Sequence, residues 1–420
     1  MFRILSDKAR DKSVNLPSSK SVTHRILVLA ALNDGETEIL NPLYSEDTKI
    51  TMEALRSFGA EIIEERDTVR VLSSVGKVQN QKVFLGNSGS SARFLIPLVL
   101  HLDREIYFYG TEELHKRPFA ELFDILRSLG FKINAENNSL PATVFPPENT
   151  ERNVVNIDEL PSSQIVSGLM MSYAKTREGL RLIFEKQLPS FPYVDMTRKL
   201  MARLDLRTEL HGNKIEIHPH EKINYDWRFS CEKDLSAASY WVAYALINNV
   251  KVNLENLLLP SLQGDEKIFE IAETLGASVK LFSNRVEISG TVKRGLEYDC
   301  EDIPDIVPTL AVMGMFAPDK FVLKNVSRLR YKESDRINAI KVNIETLGGK
   351  CEYREPNLII YPQEKYHGGG IKTFDDHRIA MCFAIAGTRI EDVAIDNPAC
   401  VEKSYPSFWN DFTEFKNVEE

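Results

Sequence analysis

The chain has 420 residues, 43% hydrophobic and 27% charged, a composition that fits a soluble globular protein of two or three domains. The formal net charge of −9 argues against nucleic acid as a partner of the whole surface, and no apolar run reaches the length of a membrane span. Five cysteines with no CxxC pair argue for reduced thiols in a cytoplasmic setting, and the N-terminus carries no signal-peptide core.

In chain order the first feature is a repeat. Leu55-Arg-Ser-Phe-Gly59, Leu126-Arg-Ser-Leu-Gly130, Thr274-Leu-Gly276 and Thr346-Leu-Gly348 each end an apolar helix in a glycine and lead into a strand, with Asp205 standing at the weaker third copy. The markers 59, 130, 205, 276 and 348 lie 71 to 75 residues apart. A second set runs out of phase with it. Ser19, Ser90, Ser163, Ser236, Asp305 and Asp376 precede apolar helices at steps of 69 to 73 residues, which predicts six N-caps. The segments 22–32 and 237–247 are apolar nearly all round and are expected to be buried. Six units of this length read as supersecondary repeats, three to a domain, with a sixth helix over 405–415. Parallel buried helices would turn six positive dipole ends the same way and favour anions without an excess of basic residues.

Several short segments add chemistry. Lys20-Ser21 opens the first buried helix, with Arg25 one turn on from Ser21. Gly86-Asn-Ser-Gly89-Ser-Ser-Ala-Arg93 permits close backbone approach to an anion but lacks the Lys of a P-loop. Arg117-Pro118 predicts a helix start with Pro at its first position and Arg117 at the cap. Ser162-Ser163-Gln164 can cap or hold phosphate. Asp305, between Pro304 and Pro308, reads either as a cap or as a general base. Ser327 to Arg336 crowds four cations and two carboxylates at a strand-to-helix junction, where Arg330 and Arg336 could fork onto anionic oxygens. Asp375-Asp376-His377-Arg378 reads as anion ligation rather than a metal site, because no further ligand follows at helical spacing.

Lys20-Ser21-x-x-x-Arg25, Gly86-Asn-x-Gly89-x-x-x-Arg93, Arg117-Pro118, Ser162-Ser-Gln164, Lys332-Glu-Ser-Asp-Arg336, Asp376-His-Arg378 and Lys403 together resemble the 5-enolpyruvylshikimate-3-phosphate synthases, in order and across the chain. The resemblance implies an α/β, two-domain enolpyruvyl-transferase fold of six βαβαββ-type repeats, three per domain, around buried parallel helices, with the active site in the interdomain cleft. It implies domain I as residues 1–14 plus 229–420 and domain II as 15–228, the chain crossing twice. The implied reaction moves the enolpyruvyl group of phosphoenolpyruvate to the 5-hydroxyl of shikimate 3-phosphate, on the shikimate pathway to chorismate and aromatic amino acids. Neither metal nor organic cofactor is implied, and a monomer is expected.

By the same resemblance Lys20, Ser21, Arg25, Ser162, Ser163, Gln164, Ser190, Asp305 and Lys332 hold shikimate 3-phosphate. Lys20, Gly89, Arg117, Gln164, Arg336, Arg378 and Lys403 hold phosphoenolpyruvate. Asp305, Glu333 and Lys20 are the catalytic set, with Glu333 donating a proton to the methylene carbon and Asp305 accepting the hydroxyl proton. Departures from the family pattern are His24, Ser90, Phe94, Arg328 and Asp375, where the family often carries Asn or Gly at the last. The sister transferase acting on UDP-N-acetylglucosamine carries Lys-Asn near its start and a Cys before Arg-Pro. Here Ser21 follows Lys20, and Leu114-His-Lys116 has no Cys. A non-catalytic relative would have lost Lys20, Asp305, Glu333 or Lys403, and all four are present.

Overall fold

The computed structural model describes residues 1–6 and 8–417. Among them are six four-stranded sheets of one pattern. In each, the first strand pairs parallel with the second, and the other two add antiparallel. The sheet Val154–Ile157, Leu180–Phe184, Lys214–Ile217, Thr208–His211 is typical, with Val155 opposite Leu182 and Leu182 opposite Ile215. A parallel pair needs a crossover, and in four of the six sheets a single buried α-helix joins the two parallel strands, as Gln164–Tyr173 joins Val154–Ile157 to Leu180–Phe184.

Three of the six sheets borrow strands distant in sequence. Trp227–Ser230 lies parallel to Thr37–Leu40, and so begins the first sheet. Lys12–Val14 lies parallel to Val252–Glu255. Phe2–Ile4 sits between Val393–Ile395 and Phe415–Asn417. The chain accordingly divides into two compact units, one of residues Ser18–Cys231 and one of Met1–Pro17 with Glu232–Glu420.

Each unit has three helices at its centre. Lys20–Ala30, Gly89–Leu95 and Gln164–Tyr173 pack on one another in the first. Leu235–Asn248, Val307–Met315 and His377–Gly387 do so in the second. Apart from Ser21, Ser90, Gln164 and Asn248 their residues are buried, the apolar ones together with Lys20, Arg25, Arg93, His377 and Arg378. The second trio is parallel. Ser239 meets Thr309 near the N-terminal ends at 3.0 Å, and Asn248 donates to Thr388 at the C-terminal ends at 2.8 Å. The C-terminal ends line a cavity of about 760 Å³ that includes Ile247, Met315 and Ile390.

The five markers at helix ends all have positive φ: Gly59 +102°, Gly130 +97°, Asp205 +59°, Gly276 +105° and Gly348 +78°. A Cβ on Gly59 would also lie 2.5 Å from the Lys77 carbonyl oxygen, so both backbone and space demand glycine there.

The six predicted caps hold less well. Ser19 and Asp376 do cap, accepting from Val22 N and Arg378 N. Ser163 holds the cap position without a side-chain bond. Ser88 and Asp234 cap where Ser90 and Ser236 were expected. Asp305 is displaced by Ile306. Pro308 is the second helical residue and has no N–H to give a cap, which releases the Asp305 carboxylate for other partners. Arg117 is likewise no cap, since its helix is Ala120–Ser128 with Phe119 at the cap. Over 405–415 only Phe408–Asp411 is helical, because Phe415 enters the strand that closes against Phe2–Ile4. No helix of the described residues is long and apolar enough to cross a membrane.

Two histidines, His24 fully buried and His101 half-buried, predict how the first unit responds to acid. Burial pushes His24 from 6.5 down to about 3 and His101 to about 4. Below pH 6.5 the unfolded chain takes up protons that the folded one refuses, so their contribution is whole above 6.5 and is lost as pH falls toward 3. The melting temperature is expected to fall between pH 7 and 5, and less in His24→Asn; equal slopes would remove His24 from the account.

Candidate active site

In the unit Ser18–Cys231, the Ser19 cap starts a helix whose first residue is Lys20. A cation there opposes the helix dipole. Asp47, in the first turn of Glu46–Ser57, offsets it at 3.0 Å from Nζ. Arg25, one turn further, is 2% exposed. Its guanidinium donates to Thr197 Oγ1 (2.7 Å), to the carbonyls of Ser21 (2.8 Å) and Tyr193 (3.1 Å), and to Ser167 Oγ (3.4 Å), and it lies over Phe94. All these hydrogen-bond partners are neutral. Burial lowers its pKa to about 10, so a buried positive charge stands here solvated by dipoles alone. Ser190 opens the neighbouring helix Phe191–Arg203 with a left-handed φ of +51°.

The loop before Gly89–Leu95 gathers a second cationic group. Arg93 donates to Pro118 O (3.2 Å), Gln164 Oε1 (3.3 Å) and Gly89 O (3.4 Å), and stacks on Phe119. Burial, then the neighbouring Arg117, lowers the Arg93 pKa to about 9. Arg117 donates to Asn87 Oδ1 at 2.6 Å and Asn87 O at 3.1 Å. Gln164 donates to Ser90 Oγ at 2.8 Å, and its own backbone N–H donates to Ser162 Oγ at 3.3 Å. Gly89 thus lies between two guanidiniums of like charge. A Cβ there would come within 2.5 Å of an Arg117 nitrogen and 2.7 Å of an Arg93 nitrogen. These are ends of flexible side chains, so Gly89→Ala is expected to fold but to displace both. A rise of about ten-fold in the KM for the anionic substrate that they serve would register the change; an unchanged KM would show that the guanidiniums do not set it.

The unit containing Glu232–Glu420 builds its site around Asp305. Its Oδ1 faces Arg336 Nη1 (3.2 Å) and Lys332 Nζ (3.7 Å), and its Oδ2 faces Arg378 Nη2 (2.8 Å). Arg336 is 2% exposed and forks onto Asp376, 2.8 Å from Nε and 3.3 Å from Nη2. Burial pushes the Arg336 pKa down, but Asp376 and Asp305 raise it above its ordinary value. Burial pushes the Asp376 carboxyl up, and Arg336 more than offsets this to hold it low. Glu333 Oε2 is 2.7 Å from His377 Nδ1. Lys403 Nζ meets the carbonyl and the carboxylate of Asp375 at 2.8 and 2.7 Å.

Arg330 departs from expectation: it lies out at the surface over Tyr353 and pairs with Asp335 at 3.5 Å. Sequence reading missed Asp47, the Glu333–His377 pair and Asp265, because each contact is made by the fold and none by local spacing. Asp265 accepts from Ser236, and burial, then the charge of Asp305, raises its pKa to about 6. Glu333, Asp376 and His377 bring ligand atoms within 4.8 Å of one another. Asp376 is already engaged by Arg336, by Ser334 and by its own helix, and Glu333 by His377.

The fold is that of the enolpyruvyl transferases. The chain superposes on EPSP synthase from Acinetobacter baumannii with a TM-score of 0.79 at 24% identity, covering 98% of this chain and 97% of that one. It superposes on the enolpyruvyl transferase NikO from Streptomyces tendae with a TM-score of 0.78 at 16% identity, covering 98% and 96%. The sequence matches the family model for EPSP synthase (3-phosphoshikimate 1-carboxyvinyltransferase) over residues 6–412. Proteins named 3-phosphoshikimate 1-carboxyvinyltransferase from Clostridium novyi (32% identical; 95% of this chain, 94% of that protein) and Nitrosomonas europaea (33%; 95% of each) are similar along nearly their whole length. The chain belongs to the EPSP synthase family and is a transferase.

Proposed function

We propose that this chain transfers the enolpyruvyl group of phosphoenolpyruvate to the 5-hydroxyl of shikimate 3-phosphate, and that the residues above carry the reaction. The observation that carries the reading is a carboxylate, Asp305, held among three cations beside a second carboxyl, Glu333, paired with a histidine. Family membership supplies the substrates.

In this reading the 5-hydroxyl oxygen bonds to C2 of phosphoenolpyruvate while Asp305 takes the hydroxyl proton. Glu333, resupplied through His377, protonates the C3 methylene. The resulting tetrahedral adduct then loses a C3 proton and breaks the bond from C2 to the phosphate oxygen, releasing inorganic phosphate. Two carboxyl groups with opposite tasks need different surroundings, and these have them: three cations face Asp305, and an imidazole faces Glu333. Lys20, Ser21, Arg25, Ser162, Ser163, Gln164, Ser190, Asp305 and Lys332 are read as the shikimate 3-phosphate ligands. Lys20, Gly89, Arg117, Gln164, Arg336, Arg378 and Lys403 are read as the phosphoenolpyruvate ligands. Arg25, whose buried charge has only neutral protein partners, fits an anion by charge alone. A cytoplasmic monomer completes the reading, and the five buried thiols fit it.

The test is release of phosphate from phosphoenolpyruvate with shikimate 3-phosphate, run beside UDP-N-acetylglucosamine. Release with the first acceptor alone is expected. Release with the second alone would assign the sister activity, and tight binding of shikimate 3-phosphate without release would point to a non-catalytic relative.

A further inference from the structure

We propose that Asp375 is a built-in competitor for the anion taken by Lys403, and that it sets the affinity of the enzyme for phosphoenolpyruvate. The proposal rests on the reading that places phosphoenolpyruvate on Lys403.

Lys403 ends the turn Pro398–Lys403, and its side chain is only 6% exposed. Its ammonium meets Asp375 twice, at the backbone carbonyl and at Oδ2. The other carboxylate oxygen, Oδ1, accepts from Asn397 Nδ2 at 3.0 Å. The two contacts to Lys403 differ in kind. The carbonyl is offered by any residue at 375, and its place is fixed by a clamped turn. Thr373 donates twice to Asp396 Oδ1, at 3.0 and 2.7 Å, and Asp376 N donates to Thr373 O at 3.0 Å. Within that turn Phe374 and Asp375 both take left-handed φ, +53° and +56°. Phenylalanine adopts this conformation only when its surroundings impose it, so the backbone here is set by its neighbours and not by the Asp375 side chain.

The carboxylate therefore adds charge, not position. The Asp375 side chain is 53% exposed, whereas that of Lys403 is buried. When an anion arrives, the carboxylate can swing to water and the ammonium cannot. Phosphoenolpyruvate brings a carboxylate and a phosphate, either of which competes with Oδ2 for the charge and the donors of Nζ. Part of the substrate's binding energy is spent on that exchange, and KM is higher than the cationic site alone would give.

The experiment measures phosphate release at saturating shikimate 3-phosphate with phosphoenolpyruvate varied. Asp375→Asn is isosteric, and Asp375→Gly suits the left-handed backbone, so the two together guard against misfolding of either. Both are expected to lower the KM for phosphoenolpyruvate by about three- to ten-fold, with kcat within about two-fold of wild type. In a Lys403→Met background the Asp375→Asn change is expected to do nothing further. A KM that stays level or rises in both Asp375 variants overturns the competitor role, a rise meaning that the carboxylate positions Lys403. A fall that persists in the Lys403→Met background also overturns it. If Lys403→Met alone leaves this KM unchanged, the placement of phosphoenolpyruvate on Lys403 fails, and the proposal with it.

Discussion

Glu333→Gln is expected to lower turnover by about 10²- to 10⁴-fold while leaving the binding of shikimate 3-phosphate intact. Glutamine keeps the volume of the side chain, and its amide oxygen can still accept from His377 Nδ1 across the 2.7 Å that separates the pair. What it cannot do is carry a proton to carbon. Calorimetric binding beside single-turnover chemistry separates the two: the first should match wild type and the second collapse. Turnover near wild type would remove Glu333 from proton transfer.

Asp305→Asn should cost turnover on the same scale, for a different reason and with a different companion effect. The asparagine cannot accept the hydroxyl proton, and its neutral amide leaves Lys332, Arg336 and Arg378 short of one negative charge. Anionic substrate should bind at least as tightly as before, while the chemical step fails. Stability should change little, because Arg336 keeps its fork on Asp376 and the Asp305 side chain is partly solvated at 18% exposure. Asp376→Asn makes the control. That carboxylate is fully buried and serves a helix N-terminus as well as Arg336, so its loss should cost about 3–5 kcal/mol of folding stability. If Asp305→Asn melts as early as Asp376→Asn, the role of Asp305 is structural and its kinetic effect is secondary.

The fold was legible in the sequence wherever backbone geometry wrote itself into residue type. Gly59, Gly130, Gly276 and Gly348 mark positive φ at helix ends, and no other residue does so as easily, so their period survives as a visible repeat. Caps were harder to place, because Ser and Asp are common on both sides of a helix start and either can bond locally; hence Ser88 for Ser90 and Asp234 for Ser236. The site was legible through charged segments that need one another at fixed spacing, such as Lys332 to Arg336. The partners that tune those charges were not. Asp47 is 27 residues from Lys20, His377 is 44 from Glu333, and nothing in the local sequence of either announces the contact.

The strand pairings carry a consequence for how the chain is born. Phe2–Ile4 and Lys12–Val14 leave the ribosome before any of the segment Ser18–Cys231, yet their partners are Val252–Glu255, Val393–Ile395 and Phe415–Asn417. The segment Ser18–Cys231, which includes its own borrowed strand Trp227–Ser230, can close while synthesis continues. Phe2–Ile4 and Lys12–Val14 then wait, unpaired, for more than two hundred further residues to be made. Nascent chains stalled near residue 260 should hold a protease-resistant core beginning near Ser18, with Phe2–Ile4 and Lys12–Val14 still open to cleavage.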